Sequence, residues 1–425
     1  MALAVLFVLL FTFLLLGVPV AVSLGLASLA YIMISGLPDV LLIHTMIGGI
    51  DSFPLLAIPF FIMAGHLMNT GGITTKIFSF ARALVGWLPG GLGHVNVGAS
   101  VIFAGMSGAA VADAGGLGNV EIKAMRDAGY DTDFSVGVTA ASSTIGPIIP
   151  PSLPLVIYGV MASVSIGELF AAGLVPGLLM ALSLMIMVAY FARKRSYPKD
   201  HGIDLCNIWL TLKQAFLPLL TPVIIVGGIA TGVFTPTEAA IAAVCYAMFL
   251  GLVVYKSLNW KHLVRVSMDT IETTAAILMI IASAAVFAWI LTSNQVAAML
   301  GETLLGITTN KTALLLIMML IVLAIGLFME TIAAITILVP VLLPIAAQAG
   351  IDPVHLGILL ILNLMLGLLT PPVGMVLFVL SEVSGVKFEQ CVRATMPFLI
   401  PLVIVLLLIT FFPQIALWLP TAVYR

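Results

Sequence analysis

Long apolar runs alternate with short polar stretches from one end of the chain to the other. An apolar run of about 20 residues is long enough to cross a bilayer as one α-helix. Because only helices and closed barrels satisfy every backbone hydrogen bond in lipid, the pattern predicts an all-α polytopic membrane protein. The expected spans lie near residues 2–16, 20–36, 51–70, 130–162, 168–192, 207–232, 236–255, 270–292, 352–385 and 395–418.

Two further apolar stretches are interrupted midway by small or polar residues. The stretch at 94–128 is interrupted across 107–118, and the stretch at 312–349 is interrupted at Glu330 and Thr331. Each pattern is typical of a re-entrant helical hairpin, which enters the membrane and returns to the same side. Irregular backbone at that depth is tolerated only beside protein or a water-filled cavity.

The two halves of the chain carry the same punctuation 221 residues apart. Residues 146–151 read GPIIPP and residues 367–372 read GLLTPP, each within an apolar run. A double proline cannot continue a helix, because proline lacks the backbone donor and clashes with the preceding turn. Two apolar helices broken at matching points indicate a transporter binding site. The same offset relates Gly105 to Gly326, Gly129 to Gly350, Ser163 to Ser384, Glu168 to Glu389 and Pro176 to Pro397.

The basic residues orient this layout. If residues 193–195 face the cytoplasm, fourteen of the sixteen lysines and arginines fall on that side, and only Lys311 and Arg425 fall outside. The first hairpin is then entered from the cytoplasm and the second from outside. We therefore expect two inverted repeats, 1–200 and 205–425, with both termini outside. The other basic residues on the cytoplasmic side are Lys76, Arg82, Lys123, Arg126, Lys199, Lys213, Lys256, Lys261, Arg265, Lys387 and Arg393.

Amphipathic segments at about 71–92 and 293–311 precede the two hairpins at matching places. Lys76 and Arg82 fit a helix that lies in the membrane interface. Such arm helices would brace a moving part against a fixed part, but connecting loops explain the two segments equally well.

Composition narrows the class of protein. The chain of 425 residues is 62% hydrophobic and 8% charged, and no soluble domain could bury so much apolar surface. Its net charge of −2 argues against nucleic-acid binding. No nucleotide-binding motif is visible, so we expect the energy for transport to come from an ion gradient or a partner. We expect no cofactor and no enzymatic activity.

A helix broken in the membrane has free carbonyls where its first part ends and free N–H groups where its second part begins. The carbonyls suit a cation, and the N–H groups suit a carboxylate. Hydroxyl, amide and carbonyl oxygens with few charges form a cage for a monovalent cation. We expect one cage in each half, where a hairpin tip faces a helix break. The alternative is that each buried hydroxyl bonds only to its own helix. The first set is Ser107, Gly108, Ser142, Ser143, Thr144 and Gly146, and the second is Gly326, Glu330, Thr331, Gly367 and Thr370.

Solute is expected to lie between the two hairpin tips. Asp113 and Glu330 are expected at membrane depth, where a carboxylate is costly and is a functional candidate by default. Either one is alternatively a neutral carboxyl group or the cap of a short helix. Glu238, after Pro236 and Thr237, is expected to start a helix. The expected substrate-binding residues are Asp113, Asn119, Pro147, Pro150, Ser152, Asn363 and Pro371.

Two other classes of function stay open. Residues 105–108 read GMSG, the G-x-S-G pattern of rhomboid intramembrane proteases. A serine nucleophile needs a base within reach, and the histidines lie outside the spans that face Ser107 or at their ends. A channel is the other class, although inverted, interrupted repeats favour alternating access.

Several short stretches resemble the large membrane subunit, of the DctM or SiaM type, of tripartite ATP-independent periplasmic (TRAP) transporters. The similarity covers essentially the whole chain, and the order and spacing of the stretches make it specific. Glu330 stands where we expect Asp in many relatives, which leaves the ligand geometry there open. The stretches are 17–21 (GVPVA), 107–108 with 112–114, 125–130 (MRDAGY), 141–146 (ASSTIG) with 150–152, 234–240 (FTPTEAA), 326–330 (GLFME) and 370–374 (TPPVG).

The resemblance implies an elevator mechanism, in which a transport domain with two hairpins carries solute and Na⁺ past a fixed scaffold. It also implies a small four-helix membrane subunit, expected to be a separate polypeptide because the chain begins directly in its first span. A soluble periplasmic protein would deliver the substrate, an organic acid such as sialic acid or a C4-dicarboxylate. We therefore predict Na⁺-coupled import across a bacterial inner membrane, with both termini in the periplasm. A self-sufficient Na⁺- or H⁺-coupled carboxylate symporter is the alternative.

Overall fold

A computed structural model describes residues 2–198, 202, 204–308 and 310–424. The side chains of Met106, Ser107, Leu305 and Ile307 lie outside the described part, as do the basic residues Lys199 and Arg425. The described chain is helical and contains no strand, which confirms the predicted all-α class.

The described residues of the first half form ten α-helices, α1 to α10. A 3₁₀ turn at Phe53–Leu56 leads into α4. The prediction missed α3, a short helix with no fully buried side chain. In order, the helices are Ala2–Leu15, Val20–Ile34, Val40–Ile50, Ala57–Thr70, Ile73–Val85, Gly91–Ser107, Ala110–Asp127, Thr132–Ser143, Leu153–Ala162 and Ile166–Arg195.

The described residues of the second half form α11 to α20. A π-helical turn at Leu250–Val254 extends α12. The span predicted at 395–418 was placed too far along the chain, because α19 ends before Pro413 and a separate helix follows. The helices are Leu205–Ala230, Pro236–Phe249, Trp260–Ser293, Val296–Ile307, Lys311–Gly326, Thr331–Gln348, Pro353–Leu368, Met375–Ser384, Phe388–Phe411 and Gln414–Tyr424.

Seven of the described helices, counted with their 3₁₀ or π extensions, are long and apolar enough to cross a membrane. The other apolar helices have 10 to 17 residues. They include α9, α17 and α18 of the two broken helices and the first helix of each hairpin, α6 and α15. Division at the breaks removes two of the ten predicted spans, and α1 and α2 are shorter than a full span. Helix α16, predicted as part of the second hairpin, is long enough to cross.

Helix boundaries in the two halves keep the 221-residue offset. Helix α7 begins at Ala110 and α16 begins at Thr331, and the two helices end at Asp127 and Gln348. The first hairpin is interrupted only at residues 108–109, so the interruption predicted across 107–118 was too long. The opposite orientation of the halves in a membrane stays a prediction.

Both amphipathic segments form helices, α5 and α14, rather than loops. One face of α5, with Ile73, Ile77 and Ala81, is buried where the helix packs against α6 and α11. The long helix α13 packs against α2, α3, α4 and α16. Elements of the first half pack on elements of the second, since α7 contacts α18 and α8 contacts α19. The hairpins and broken helices therefore form one packed body.

Local sequence explains how the broken helices restart. Ser152 caps α9, with its hydroxyl accepting from the N–H of Leu155 at 3.2 Å, and Pro154 lies in the first turn. The Pro150–Pro151 and Pro371–Pro372 peptide bonds are both cis. Glu238 starts α12 in a capping box with Thr235, as predicted.

Candidate ion and solute site at the two helix breaks

The tip of the first hairpin lies directly on the first helix break. Gly108 ends α6 in the left-handed region, with φ of 60°. A Cβ atom there would lie 2.5 Å from the carbonyl oxygen of Pro151 and 3.2 Å from the nitrogen of Leu153. Only glycine fits both this backbone conformation and this space. On the other side of the tip, Ala109 contacts the position of a Cβ on Gly146, with its nitrogen 3.9 Å away.

The tip of the second hairpin makes an equivalent contact with the second break. A Cβ atom on Gly367 would lie 2.6 Å from the carbonyl oxygen of Gly326. The N–H of Val373 donates to the carbonyl oxygen of Leu327 at 3.3 Å and joins the tip to the segment between α17 and α18. Sequence reasoning placed these glycines in one candidate site, and the structure brings them together.

Glu330 caps the second hairpin helix. Its Oε2 atom accepts hydrogen bonds from the N–H groups of Ile332 at 2.8 Å and Ala333 at 3.2 Å. Thr331, the first residue of α16, is buried beside it. The capping alternative considered for Glu330 therefore describes its contacts in the structure.

The hydroxyl groups at the breaks donate to carbonyls of their own helices. Ser143 bonds to Ala140 at 2.8 Å, Thr144 to Ala141 at 2.6 Å and Thr370 to Leu366 at 2.7 Å. A hydroxyl that donates one hydrogen bond keeps its oxygen as an acceptor, so these bonds leave the oxygens able to ligate a cation. Ser107 is the last residue of α6, and its side chain lies outside the described residues.

The expected substrate-binding residues divide into two groups. The hydroxyl of Ser152 donates to the carbonyl oxygen of Pro147, within the first break, where Pro150 is buried. Asn363 is 1% exposed and donates to the carbonyl of Met319, and its Oδ1 atom has no partner among the described residues. Pro371 lies half-buried in the second break.

Asn119 does not join this group. It is exposed, and it lies about 14 Å along α7 from the first residue of that helix at a rise of about 1.5 Å per residue. Asp113 is close to the tip and 2% exposed, and neither carboxyl oxygen has a hydrogen-bond partner among the described residues.

Two helix N-termini beside the breaks lack a side-chain cap. Helix α7 follows Ala109 and α18 follows Gly374, whereas α9 and α16 are capped by Ser152 and Glu330. The first N–H groups of α7 and α18 are therefore not used by a capping side chain. Uncapped helix N-termini attract anions through these donors and the helix dipole.

Sequence reasoning missed a buried polar network behind the first break. Asn96 on α6 donates through Nδ2 to Glu121 at 2.7 Å and to Thr139 at 2.6 Å, and its Oδ1 atom accepts from Ser142 at 2.6 Å. All four side chains are at most 1% exposed. The rule that selected Asp113 as an intramembrane carboxylate applies equally to Glu121. The nearby Lys123 and Arg126 had placed that stretch at the aqueous end of the hairpin.

An exposed ionic cluster joins the start of α8 to the end of α10. Arg195 and Tyr197 both donate to the Oδ2 atom of Asp131, at 2.7 and 2.6 Å. The Tyr197 hydroxyl, followed by the Arg195 guanidinium, holds the pKa of the Asp131 carboxyl below its usual value. Tyr130 stacks on Tyr197, with ring centroids 4.6 Å apart, and this contact further connects the same two helix ends.

A sequence profile described as "Tripartite ATP-independent periplasmic transporter, DctM component" matches residues 7–415. The chain belongs to this family. This DctM-family protein is 49% identical over 405 residues to the sialic acid TRAP transporter large permease protein SiaM of Vibrio cholerae, with 95% of each chain covered. It is 44% identical to the sialic acid TRAP transporter permease protein SiaT of Haemophilus influenzae, covering 95% of this chain and 66% of SiaT.

A second substrate class occurs among the relatives of this DctM-family protein. The C4-dicarboxylate TRAP transporter large permease protein DctM of Pseudomonas aeruginosa is 38% identical over 370 residues, with 87% of each chain covered. Among solved structures, the Alcanivorax borkumensis YdaH transporter aligns with a TM-score of 0.64 at 14% identity, covering 89% of this chain and 88% of YdaH. That structural likeness shows the fold.

Family membership and the apolar helices identify a multi-pass protein of the inner membrane. The DctM-family protein is a transporter permease subunit and not an enzyme, so the serine-protease alternative is set aside.

Proposed function

We propose that this chain is the large membrane subunit of a Na⁺-coupled importer of an organic acid anion. One observation carries the proposal. Each of two hairpin tips lies against the break of a discontinuous helix, so that freed backbone groups and buried hydroxyls converge at two places. Discontinuous helices that converge in this way form the ion and substrate sites of secondary transporters.

The two contacts between tip and break supply oxygen ligands for Na⁺. At the first, Ser142, Ser143 and Thr144 place three buried hydroxyls at the end of α8, where the helix breaks. At the second, Thr370 and the carbonyl of Gly326 lie beside Gly367. These are hard, mostly neutral oxygens, which suit a monovalent cation.

The anion would lie between the two cation sites. The uncapped N-termini of α7 and α18 offer N–H donors to a carboxylate, and the oxygen of Asn363 offers an acceptor to a hydroxyl of the substrate. Sialic acid is the substrate class we favour, because the relatives at 49% and 44% identity carry that name. A C4-dicarboxylate is the second candidate, since DctM is 38% identical.

Transport in this proposal follows an elevator mechanism. Each of the inverted repeats 1–200 and 205–425 would contribute spans to the scaffold and a hairpin and a broken helix to the moving body, with α5 and α14 as connecting arms. A small four-helix subunit would extend the scaffold, and a soluble periplasmic protein would deliver the substrate. The positive-inside pattern supports an orientation with both termini in the periplasm.

Uptake into proteoliposomes tests the proposal. The vesicles contain the full chain with its small subunit, and uptake of radiolabelled sialic acid and of succinate is compared with and without a Na⁺ gradient and the binding protein. We expect accumulation of one substrate only when both the gradient and the binding protein are present. Uptake without the binding protein would identify a self-sufficient symporter, and uptake indifferent to Na⁺ would refute cation coupling.

A further inference from the structure

The interior of the first hairpin contains two carboxyl groups that the protein leaves largely unpaired. Glu121 is 1% exposed and accepts one hydrogen bond, from Asn96 to its Oε2 atom, while Oε1 has no partner in the described structure. Asp113 is 2% exposed, and none of the described residues bonds to either of its oxygens. The hydroxyl of Ser100, on the facing helix α6, interacts with Asp113 but lies outside normal hydrogen-bond geometry for either carboxyl oxygen.

Among the described residues, no positive side chain pairs with these groups. Helices α6, α8 and α18 pack against α7, and their titratable side chains are His94, Asp133 and Glu382. Further along α7 itself are Lys123, Arg126 and Asp127. Within the described part of the chain, none of these six groups forms a hydrogen bond or ion pair with Asp113 or Glu121.

Two buried carboxylates without a neighbouring positive charge would be very costly. Burying an ionised carboxylate without a partner costs several kcal/mol or more, and a group in that position neutralises itself instead. The free energy of the packed hairpin therefore favours a form in which both groups are uncharged.

The second hairpin has no equivalent of these groups. At the 221-residue offset, Asp113 corresponds to Ala334, Glu121 to Leu342 and Asn96 to Ile317. The candidate Na⁺ sites occur in both halves, whereas the two buried carboxyls occur only in the first. This polar interior is therefore a feature of the first repeat that the second repeat does not share.

We propose that Asp113 and Glu121 each bind a proton inside the first hairpin, and that they form a proton site separate from the two contacts between tip and break. The geometry favours protons over a shared metal ion. The two residues are eight positions apart on α7, about 12 Å along its axis, which is too far for one cation to bridge. The group of Asn96 that faces Glu121 is an N–H donor, which repels a cation and orients a carboxyl group.

Asn96 has a positioning role in this proposal. Its amide is oriented by Ser142, which donates to Oδ1, and by Thr139, which accepts from Nδ2 while donating to the carbonyl of Ser135 at 2.8 Å. Because Ser142 also lies at the end of α8, the network connects Glu121 to the first break. The proton site rests on the burial of the two carboxyl groups, so it does not depend on which ion drives transport or which acid is carried.

Infrared spectroscopy of the purified full chain in nanodiscs tests the proposal at neutral pH. A protonated carboxyl group has a carbonyl stretch above the amide I band, and this stretch shifts in D₂O. We expect two such bands, of which Asp113→Asn removes one and Glu121→Gln removes the other. Both substitutions keep the size of the side chain, and the amide oxygen introduced by Glu121→Gln still accepts from Asn96. Glu382→Gln, which changes an exposed carboxyl on the packed helix α18, is the matched control and should leave both bands.

Isotope labelling keeps the test independent of how the variants fold. Incorporation of ¹³C-carboxyl aspartate into the unchanged chain should lower the frequency of the Asp113 band alone, and labelled glutamate that of the Glu121 band alone. Absence of both bands in the wild-type chain would overturn the proposal. So would their loss on addition of NaCl with release of protons, because that result would make the interior a metal-ion site. None of these measurements involves uptake, so a failure of the proposed function would leave the outcome unaffected.

Discussion

The aromatic ring of Tyr158 on α9 occupies the space that a side chain at position 357 of α17 would need. A Cβ atom on Gly357 would lie 2.4 Å from the nearest carbon of the ring, and the Tyr158 hydroxyl donates to the carbonyl oxygen of Pro353. The second part of one broken helix is therefore fixed against the first part of the other. This contact holds the two breaks in a defined relation to each other.

Substitution of Gly357 should destabilise the protein through this ring. We expect Gly357→Ala to cost about 1–3 kcal/mol, the usual range for overpacking a filled core, and to lower the midpoint of thermal unfolding. Tyr158→Leu should relieve much of the cost in a double-mutant cycle, since the two residues are in contact. Gly227→Ala, in helix α11 with no atom within 4 Å of the added carbon, is the control and should have little effect. Independent, additive effects at positions 158 and 357 would contradict the contact.

Thr370→Ala should weaken the dependence of uptake on Na⁺ more than it weakens folding. The lost hydrogen bond to Leu366 costs only about 1 kcal/mol, whereas the hydroxyl oxygen is a proposed cation ligand. Thr410→Ala removes the same type of bond, to Leu406 at 2.8 Å, from a helix outside the breaks. The concentration of Na⁺ that gives half-maximal uptake should rise for the first variant and stay constant for the second. Equal Na⁺ activation in the two variants would remove Thr370 from the site.

Glu330 should be replaceable by a shorter capping residue but not by alanine. Glu330→Ala removes the acceptor for two N–H groups of α16 and should cost about 0.5–2 kcal/mol, the range for loss of an N-cap. Glu330→Asp keeps a carboxylate that can cap, so thermal stability and Na⁺ activation should both be retained. Asn310→Ala, which removes the cap at the other end of the hairpin, should lower stability without changing Na⁺ activation. A Glu330→Ala protein that keeps normal Na⁺ activation would show that the residue is a cap and nothing more.

Acid should remove the stabilisation that the ionic cluster of Asp131, Arg195 and Tyr197 provides. The folded-state pKa of Asp131 is depressed, so its stabilisation is present above the unfolded value of about 3.9 and is lost as the pH falls through the folded value. Asp131 and Arg195 side chains are 55% and 38% exposed, so screening limits the effect to less than about 1 kcal/mol. Asp131→Asn should lower the unfolding midpoint at pH 7, and the difference from wild type should shrink in acid below about pH 4. Asp127→Asn, at a nearby exposed carboxyl, serves as the control. A difference in unfolding midpoint between Asp131→Asn and wild type that persists in acid would argue against the ionic cluster.

The broken helices could be predicted because proline and glycine act locally. The double prolines exclude a continuous helix in any tertiary setting. Gly108 marks a turn by its backbone freedom, and Glu330 marks one as a charged residue within an apolar run. The glycines inside α7 misled the prediction for the opposite reason. Gly118 serves packing rather than chain reversal, since a Cβ there would lie 2.9 Å from the methyl group of Thr139 on α8.

The network around Glu121 depends on long-range packing. Asn96 and Glu121 are 25 residues apart, and Asn96 and Ser142 are 46 apart, so no local pattern shows that they meet. Helix α3 was missed because it lies in an apolar stretch of only 11 residues, too short to be recognised as a span. Local breaks were therefore accessible from the sequence, and the partners of each buried polar group were not.

The packing of α7 on α18 and of α8 on α19 has a consequence for how the protein is made. The guanidinium of Arg126 donates to the carbonyl oxygen of Ser384, 258 residues later in the chain. Helices α18 and α19 are translated long after the first hairpin. Until they are made, α7 and α8, which surround the polar interior around Asn96, lack two of their packing partners. A chain that ends before residue 375 would lack α18 and α19, which cover α7 and α8. The last quarter of the chain therefore completes the packing of helices that lie in the first half.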